Sequence, residues 1–182
     1  DEIAEYIDWT FFFHAWKIGA KFPDIFDDPL KGKEAGKLYD DARVMLRRMI
    51  DEKMVTADGV IGLFPASSVN ESVIIFDEST GETTDTFHFL RNQEVKEPGV
   101  HNLCLADFIA PADSEKRDYI GFFAVTAGLG VEKHAAQFTA ENDDYSAIMV
   151  KILADRLAEA FAEVLHLYVR KEYWGYAPDE SL

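Results

Sequence analysis

The sequence is poor in cysteine, with Cys104 as the one thiol among 182 residues. A single cysteine cannot form an internal disulfide framework, and this scarcity is typical of proteins from a reducing compartment. Because Cys104 lies in an apolar stretch, we expect an inert core thiol rather than a nucleophile. No two of the five histidines have the spacing of metal ligands, so the sequence predicts no protein-bound metal.

Basic residues are also scarce, since 18 lysines and arginines stand against 34 aspartates and glutamates, a formal net charge of −16. Binding to nucleic acid or to anionic membranes depends on basic surfaces, so neither is an expected partner. The sequence has no apolar run as long as a membrane span and no signal-peptide pattern. Its first residue is aspartate rather than methionine, from which we expect a piece excised from a longer chain.

Common catalytic motifs are missing as well. The sequence has neither a G-x-S-x-G elbow nor a P-loop. Gly128 and Gly130 separate a predicted strand from a predicted helix, but Lys133 stands where a dinucleotide-binding loop has its third glycine. We interpret this segment as a turn that needs positive φ, not as a nucleotide site.

The longest signal that the sequence does contain predicts a helix within Asp143–Tyr176. Alanine, the best helix former, is frequent there, and Gly175 and Pro178 end the pattern. The apolar residues recur at helical spacing and predict a broad buried face. They are Tyr145, Ile148, Met149, Ile152, Leu153, Leu157, Phe161, Val164, Leu165 and Tyr168.

The order of the other predicted elements is helix, strands, then helices, which favours an α+β domain with a mostly antiparallel, twisted sheet and flanking helices. We predict a single domain over residues 1–182, with the apolar run 118–126 as its central strand. The remaining predictions are helices over 34–53 and 131–141, strands over 59–64, 72–77 and 83–90, and either a strand or a helical turn over 103–109.

A row of three carboxylates on one predicted helix, and a separate one at Asp8, are candidates for ligand binding. Asp155, Glu159 and Glu163 follow each other at i, i+4 and i+8, where like charges repel. They form either a solvated face, softened by basic neighbours such as Arg156, or a site that awaits a cation. Asp8, set among aromatic residues, is either a helix N-cap or a second binding carboxylate.

Several segments, in the same order along nearly the whole chain, resemble the C-terminal reactivation module of cobalamin-dependent methionine synthase. Together they form a highly specific match. The segments are IDWTFFFHAWKI (7–18), GVIGLFPA (59–66), LCLADFIAP (103–111), DYIGFFAVTAG (118–128), DDYSAIMVKILADRLAEAF (143–161) and, overlapping it, ADRLAEAFAEVLHLYVRKEYWGYAPDE (154–180).

The resemblance implies a function. The module binds S-adenosylmethionine and supports the reductive remethylation of inactive cob(II)alamin in a methyltransferase that acts on methyltetrahydrofolate and homocysteine. Cobalamin is carried by the neighbouring module of the same chain, zinc belongs only to another module, and flavodoxin or a related flavoprotein reductase supplies the electron. The resemblance also implies a cytoplasmic location, and an isolated domain that is inactive without the cobalamin module.

For the site, the resemblance implies that Asp8 and Glu159 contact S-adenosylmethionine and that no residue here is catalytic. Both carboxylates should then face one groove, partly exposed and not closed off by a salt bridge to lysine or arginine. The family also uses an arginine and a tyrosine downstream of YWGYAP, and the sequence ends at Leu182 before either. We therefore expect a C-terminally truncated domain that binds the ligand weakly or not at all.

Two questions stay open from the sequence. The same carboxylates would suit a module that senses S-adenosylmethionine and transfers nothing, whereas a pure interaction scaffold would show no ligand dependence. In the helix over 34–53, Arg43, Arg47 and Arg48 either form a basic patch for flavodoxin or pair with acidic neighbours on the same helix.

Overall fold

The computed structural model describes residues 1–180, which form two compact units. The first unit combines Asp1–Gly59 with the segment from Ala124 onward, and the second is Val60–Phe123. The single domain over residues 1–182 stays a prediction. The helices are α1 (Trp9–Ala15), α2 (Gly32–Asp51), α3 (Val131–Ala140) and α4 (Asp144–Tyr168), and the strands are β1 (Thr56–Val69), β2 (Ser72–Phe76), β3 (Thr83–His88) and β4 (Asp118–Leu129).

The core of the first unit is built around α4, as the apolar spacing predicted. Val150 and Leu153 of α4 are fully buried in one cluster with Phe12 and Phe13 of α1 and Met49 of α2. The α-helix ends at Tyr168 and continues as one π-helical turn over Val169–Tyr173. Gly175 then takes a φ of 75°, which glycine adopts without strain, so the helix stops where the sequence indicated.

Asp8 and Asp143 are the N-caps of α1 and α4. Asp8 accepts a hydrogen bond from the backbone N–H of Thr10 at 2.8 Å, and Asp143 accepts one from Ser146 at 3.0 Å. These bonds satisfy backbone donors that the first turn of a helix leaves unpaired. In the case of Asp143, the bonds from Ser146 also lower the pKa of the carboxyl.

The sheet has the strand order β3-β2-β1-β4. Strands β1 and β2 pair antiparallel from Ala66↔Ile75 to Val69↔Ser72, and β2 pairs antiparallel with β3. The predicted hairpin turn between β2 and β3 is closed by a bond from Asp77 N to Glu82 O at 2.9 Å. The prediction of an α+β fold with an antiparallel sheet and a long C-terminal helix is therefore confirmed.

Two local predictions need correction, and one open alternative is resolved. The run 118–126 is a strand, but β4 lies at an edge of the sheet and not at its centre. A run of apolar residues indicates that the two faces of a strand are covered, but it does not indicate which strands lie beside it. Strand β1 does not end at Pro65, because its ladder with β2 begins only at Ala66. Of the two alternatives for 103–109, the helical one is found, as a 3₁₀ turn over Leu105–Phe108.

That 3₁₀ turn lies over a small apolar cluster in the second unit. Val73 and Ala106 are fully buried in this cluster, and Cys104 is 2% exposed, so its predicted place in a core is confirmed. Its predicted inertness stays a prediction.

The three arginines of α2 are explained mainly by local pairing. Arg47 contacts Asp51 at 2.9 Å, and Arg48 contacts Glu52 at 3.0 Å, both at the i, i+4 spacing of a helix. The interpretation as intrahelical pairs is confirmed for these two residues. Among the helices of residues 1–180, none combines the length and apolar character that crossing a bilayer requires.

Candidate functional site

Asp8 and Glu159, far apart in the sequence, line one cavity of about 140 Å³ in the first unit. Asp8 stands at the start of α1, and Glu159 lies in the second half of α4. The expectation that both carboxylates open onto one groove is confirmed. The other lining residues are Tyr6, Phe11, Arg156, Ala160 and Glu163.

Asp8 is the residue directly before α1, and at this position it lines the cavity. Its Oδ1 atom caps the helix through Thr10 N. The cap uses Oδ1 and not Oδ2. The two interpretations of Asp8, as a cap and as a cavity carboxylate, are therefore compatible, since the cap does not occupy the second oxygen.

Glu159 is held by a two-point ion pair with Arg156. Nη1 of Arg156 donates to Oε2 at 2.9 Å, and Nη2 donates to Oε1 at 3.2 Å. The side chain of Glu159 is nevertheless 66% exposed, so the salt bridge does not close off this carboxylate, as was expected.

Arg156 is much more buried than the acidic residues around it, with only 11% of its side chain exposed. Its guanidinium carbon lies 6.0 Å from the centre of the Phe11 ring, and Nη2 also donates to Asp155 Oδ2 at 2.5 Å. Burial alone would lower the pKa of Arg156, but the bond to Asp155 and the charge of Glu159 outweigh it and raise that pKa. Arg156 is therefore a permanent cation in the wall of the cavity.

The charges around the cavity favour a ligand that is cationic or rich in hydrogen-bond donors. Three carboxylates, Asp8, Glu159 and Glu163, line it together with a single arginine. Carboxylates accept hydrogen bonds from ammonium and hydroxyl groups, and their summed charge attracts a cation. Among the residues that the structure describes, no three His, Cys, Asp or Glu side chains are grouped as a metal site.

Sequence reasoning missed part of this site. Phe11 was not among the candidates, although it lines the cavity and is 52% exposed. Arg156 entered only as a neutralising neighbour in the alternative of a solvated face. The available signal was its i, i+3 spacing to Glu159, which places the two side chains on one side of the helix.

Of the two glycines predicted to form a turn with positive φ, only Gly130 has that role. Gly130 adopts a φ of 101° at the start of α3, and Gly128 belongs to β4 itself. A β-carbon on Gly130 would lie 2.9 Å from the carbonyl oxygen of Met54. The turn therefore requires glycine for backbone reasons.

Two comparisons with known proteins show what this chain is similar to. The family model described as "Vitamin B12 dependent methionine synthase, activation domain" matches residues 1–182. A solved structure described as the MetH reactivation domain bound to AdoHcy is 51% identical, superposes with a TM-score of 0.91 and is matched over 99% of this chain. The present chain spans 55% of the length of that solved chain. This chain therefore belongs to the family of activation domains of vitamin B12-dependent methionine synthase.

Proposed function

We propose that this chain, within the parent protein that carries it, binds S-adenosylmethionine and thereby supports the reductive reactivation of a cobalamin-dependent methionine synthase. The observation that carries the proposal is the pair of carboxylates, Asp8 and Glu159, on one cavity. The relative with AdoHcy bound, at 51% identity over 99% of this chain, supports the same class of ligand.

The side chains of the cavity suit this ligand chemically. S-adenosylmethionine carries two cationic groups, a sulfonium and an ammonium, and a ribose with two hydroxyl donors. Oδ2 of Asp8 and the remaining acceptor positions of Glu159 can take such donors. The cavity of about 140 Å³ is smaller than the roughly 300–1,000 Å³ that is usual for small-molecule sites, so it holds part of the ligand and leaves the rest on the surface.

The proposed role of this chain is to bind and orient the methyl donor. Cobalamin, carried by a neighbouring module of the parent chain, would supply the nucleophile that takes the methyl group. The chain itself needs no general acid or base, since holding the donor in place converts a bimolecular encounter into an oriented one. Flavodoxin or a related flavoprotein would deliver the electron in the cytoplasm, zinc would belong to another module, and the isolated domain would not turn over by itself.

Calorimetric titration of S-adenosylmethionine into the protein that carries this chain tests the proposal. We expect saturable binding that Glu159→Gln weakens about tenfold, the loss expected for one charge-assisted hydrogen bond. Glu132→Gln is the matched control, because Glu132 pairs with Lys151 at 2.8 Å and does not line the cavity. Absence of binding in the unsubstituted protein would contradict the proposal.

Activity measurements separate reactivation from other roles. In the parent enzyme, Glu159→Gln should slow reactivation after oxidation and leave turnover with methyltetrahydrofolate unchanged. Equal loss of both activities would indicate that Glu159 serves the fold instead. Binding of S-adenosylmethionine with no effect on reactivation would indicate a sensing module, and no ligand dependence at all would indicate an interaction scaffold.

A further inference from the structure

We infer that Arg156 is a positioning residue, which fixes the carboxylate of Glu159 in the orientation that receives the ligand. This inference rests on the proposed binding of S-adenosylmethionine and adds a residue to the same site. Its basis is the contact between the two side chains, in which both Nη atoms of Arg156 donate to both oxygens of Glu159 at 2.9 and 3.2 Å.

The arrangement leaves Glu159 able to bind. An ionised carboxylate offers about four acceptor positions, two on each oxygen. The fork of Arg156 takes one on each oxygen, so one on each remains for the donors of a ligand. An exposed glutamate would otherwise sample several rotamers, and holding it beforehand reduces the conformational entropy that binding has to remove.

Arg156 is itself held on several sides, as a positioning residue must be. It lies over the ring of Phe11 at 6.0 Å, donates to Asp155 at 2.5 Å and keeps only 11% of its side chain exposed. Its Nε atom is buried and has no partner among residues 1–180. A buried donor without a partner is costly, which indicates that the guanidinium is oriented by the carboxylates and not by its own hydrogen-bonding needs.

The pair Arg47–Asp51 on α2 shows what an ordinary surface ion pair looks like in the same protein. There the two side chains are 66% and 54% exposed and lie 2.9 Å apart, and neither residue lines the cavity. Exposed pairs of this kind contribute little. Arg156 differs from Arg47 in burial and in the identity of its partner, a carboxylate that lines the candidate site.

Two double-mutant cycles test the inference, with the dissociation constant of S-adenosylmethionine as the readout. Arg156→Gln should raise the dissociation constant about tenfold in the unsubstituted background. In the background of Glu159→Gln, the same change should have an effect within about twofold, because the carboxylate that it positions is already gone. In the background of Asp8→Asn, Arg156→Gln should again have its full effect, since the ion pairs of Arg156 are to Asp155 and Glu159.

A role of Arg156 in folding alone would give the same factor in all three backgrounds, and direct contact with the ligand would leave a large effect beside Glu159→Gln. Either result would overturn the inference. Arg156→Lys, which keeps the charge but cannot make the two-point contact, should bind more weakly than the unsubstituted protein. If Arg156→Gln does not fold, Arg156→Lys takes its place as the test. Unchanged binding by Arg156→Lys would count against the inference.

Arg47→Gln is the control for loss of an arginine and should leave binding unchanged. The outcomes also separate this inference from the function on which it rests. If the unsubstituted protein does not bind S-adenosylmethionine, the proposed function is wrong and the inference falls with it. If it binds and Arg156→Gln binds equally well, only the inference is wrong.

Discussion

Asp8 caps α1 with Oδ1, which lies 2.8 Å from the backbone nitrogen of Thr10, and the same residue lines the cavity that also holds Glu159. A single carboxylate can therefore serve the fold and the ligand through different atoms. The two roles are separable by substitution, because asparagine and aspartate are comparable N-caps whereas only aspartate is charged.

We expect Asp8→Asn to unfold at nearly the same denaturant concentration as the unsubstituted protein and to bind S-adenosylmethionine about tenfold more weakly. Asp8→Ala should weaken binding similarly and also lose about 0.5–2 kcal/mol of unfolding free energy with the cap. Chemical unfolding and calorimetry on the same samples measure both. Asp8→Asn binding as tightly as the unsubstituted protein would remove Asp8 from the site.

The stability of the second unit should vary with pH because of Asp107. Both oxygens of its carboxylate accept from Arg91, at 2.7 and 2.9 Å, and Oδ2 also accepts from Cys104 N. The hydrogen bonds from Arg91, followed by the bond from Cys104, lower the pKa of Asp107 to about 2. Because the folded pKa lies below the unfolded value of about 3.9, the stabilisation is complete above that value and is lost as pH falls towards 2.

We therefore expect Asp107→Asn to melt at a lower temperature than the unsubstituted protein near neutral pH. The difference should shrink between about pH 4 and pH 2, as Asp107 in the unsubstituted protein becomes protonated. Thermal unfolding across this pH range measures the difference in melting temperature. Asp85→Asn, at an exposed position of β3, is the control. A difference that stays constant with pH would mean that the charge of Asp107 is not what stabilises this turn.

Two glycines should respond to alanine in opposite directions. Gly130 has a φ of 101° and a carbonyl oxygen 2.9 Å from its β-carbon position, so Gly130→Ala should cost about 1–3 kcal/mol of unfolding free energy. Gly36 lies inside α2 with no atom within 4 Å of that position, so Gly36→Ala should add up to about 1 kcal/mol through helix propensity. Denaturant titration of both variants is the measurement. A change in unfolding free energy in the same direction for both variants would contradict the geometric argument.

Cys104 provides a probe of local opening in the second unit. Its side chain is buried beside Val73 and Ala106, so a thiol reagent should react slowly with the native protein and rapidly after unfolding. The rate of modification in native buffer, compared with the rate in denaturant, measures this. Fast reaction in native buffer would show that the 3₁₀ turn over Leu105–Phe108 opens readily.

The sequence by itself determined those features that depend on neighbours along the chain. Apolar spacing sufficed for α2 and α4, an N-cap was one of the two interpretations of Asp8, and Gly130 marked a turn with positive φ. These signals are local, because a helix or turn is closed by residues a few positions apart. Asp8 and Glu159 entered as candidates through family resemblance, since spacing alone gave no reason for them to meet.

The tertiary structure decided what depends on residues distant in sequence. It placed β4 at an edge of the sheet, because strand order follows from pairing between distant segments and leaves little trace in the apolar pattern. It also changed the interpretation of Arg156, which spacing alone assigned to a solvated face. Packing of α1 against α4 brings the ring of Phe11 over the guanidinium, and burial then makes an ordinary i, i+3 pair part of the candidate site.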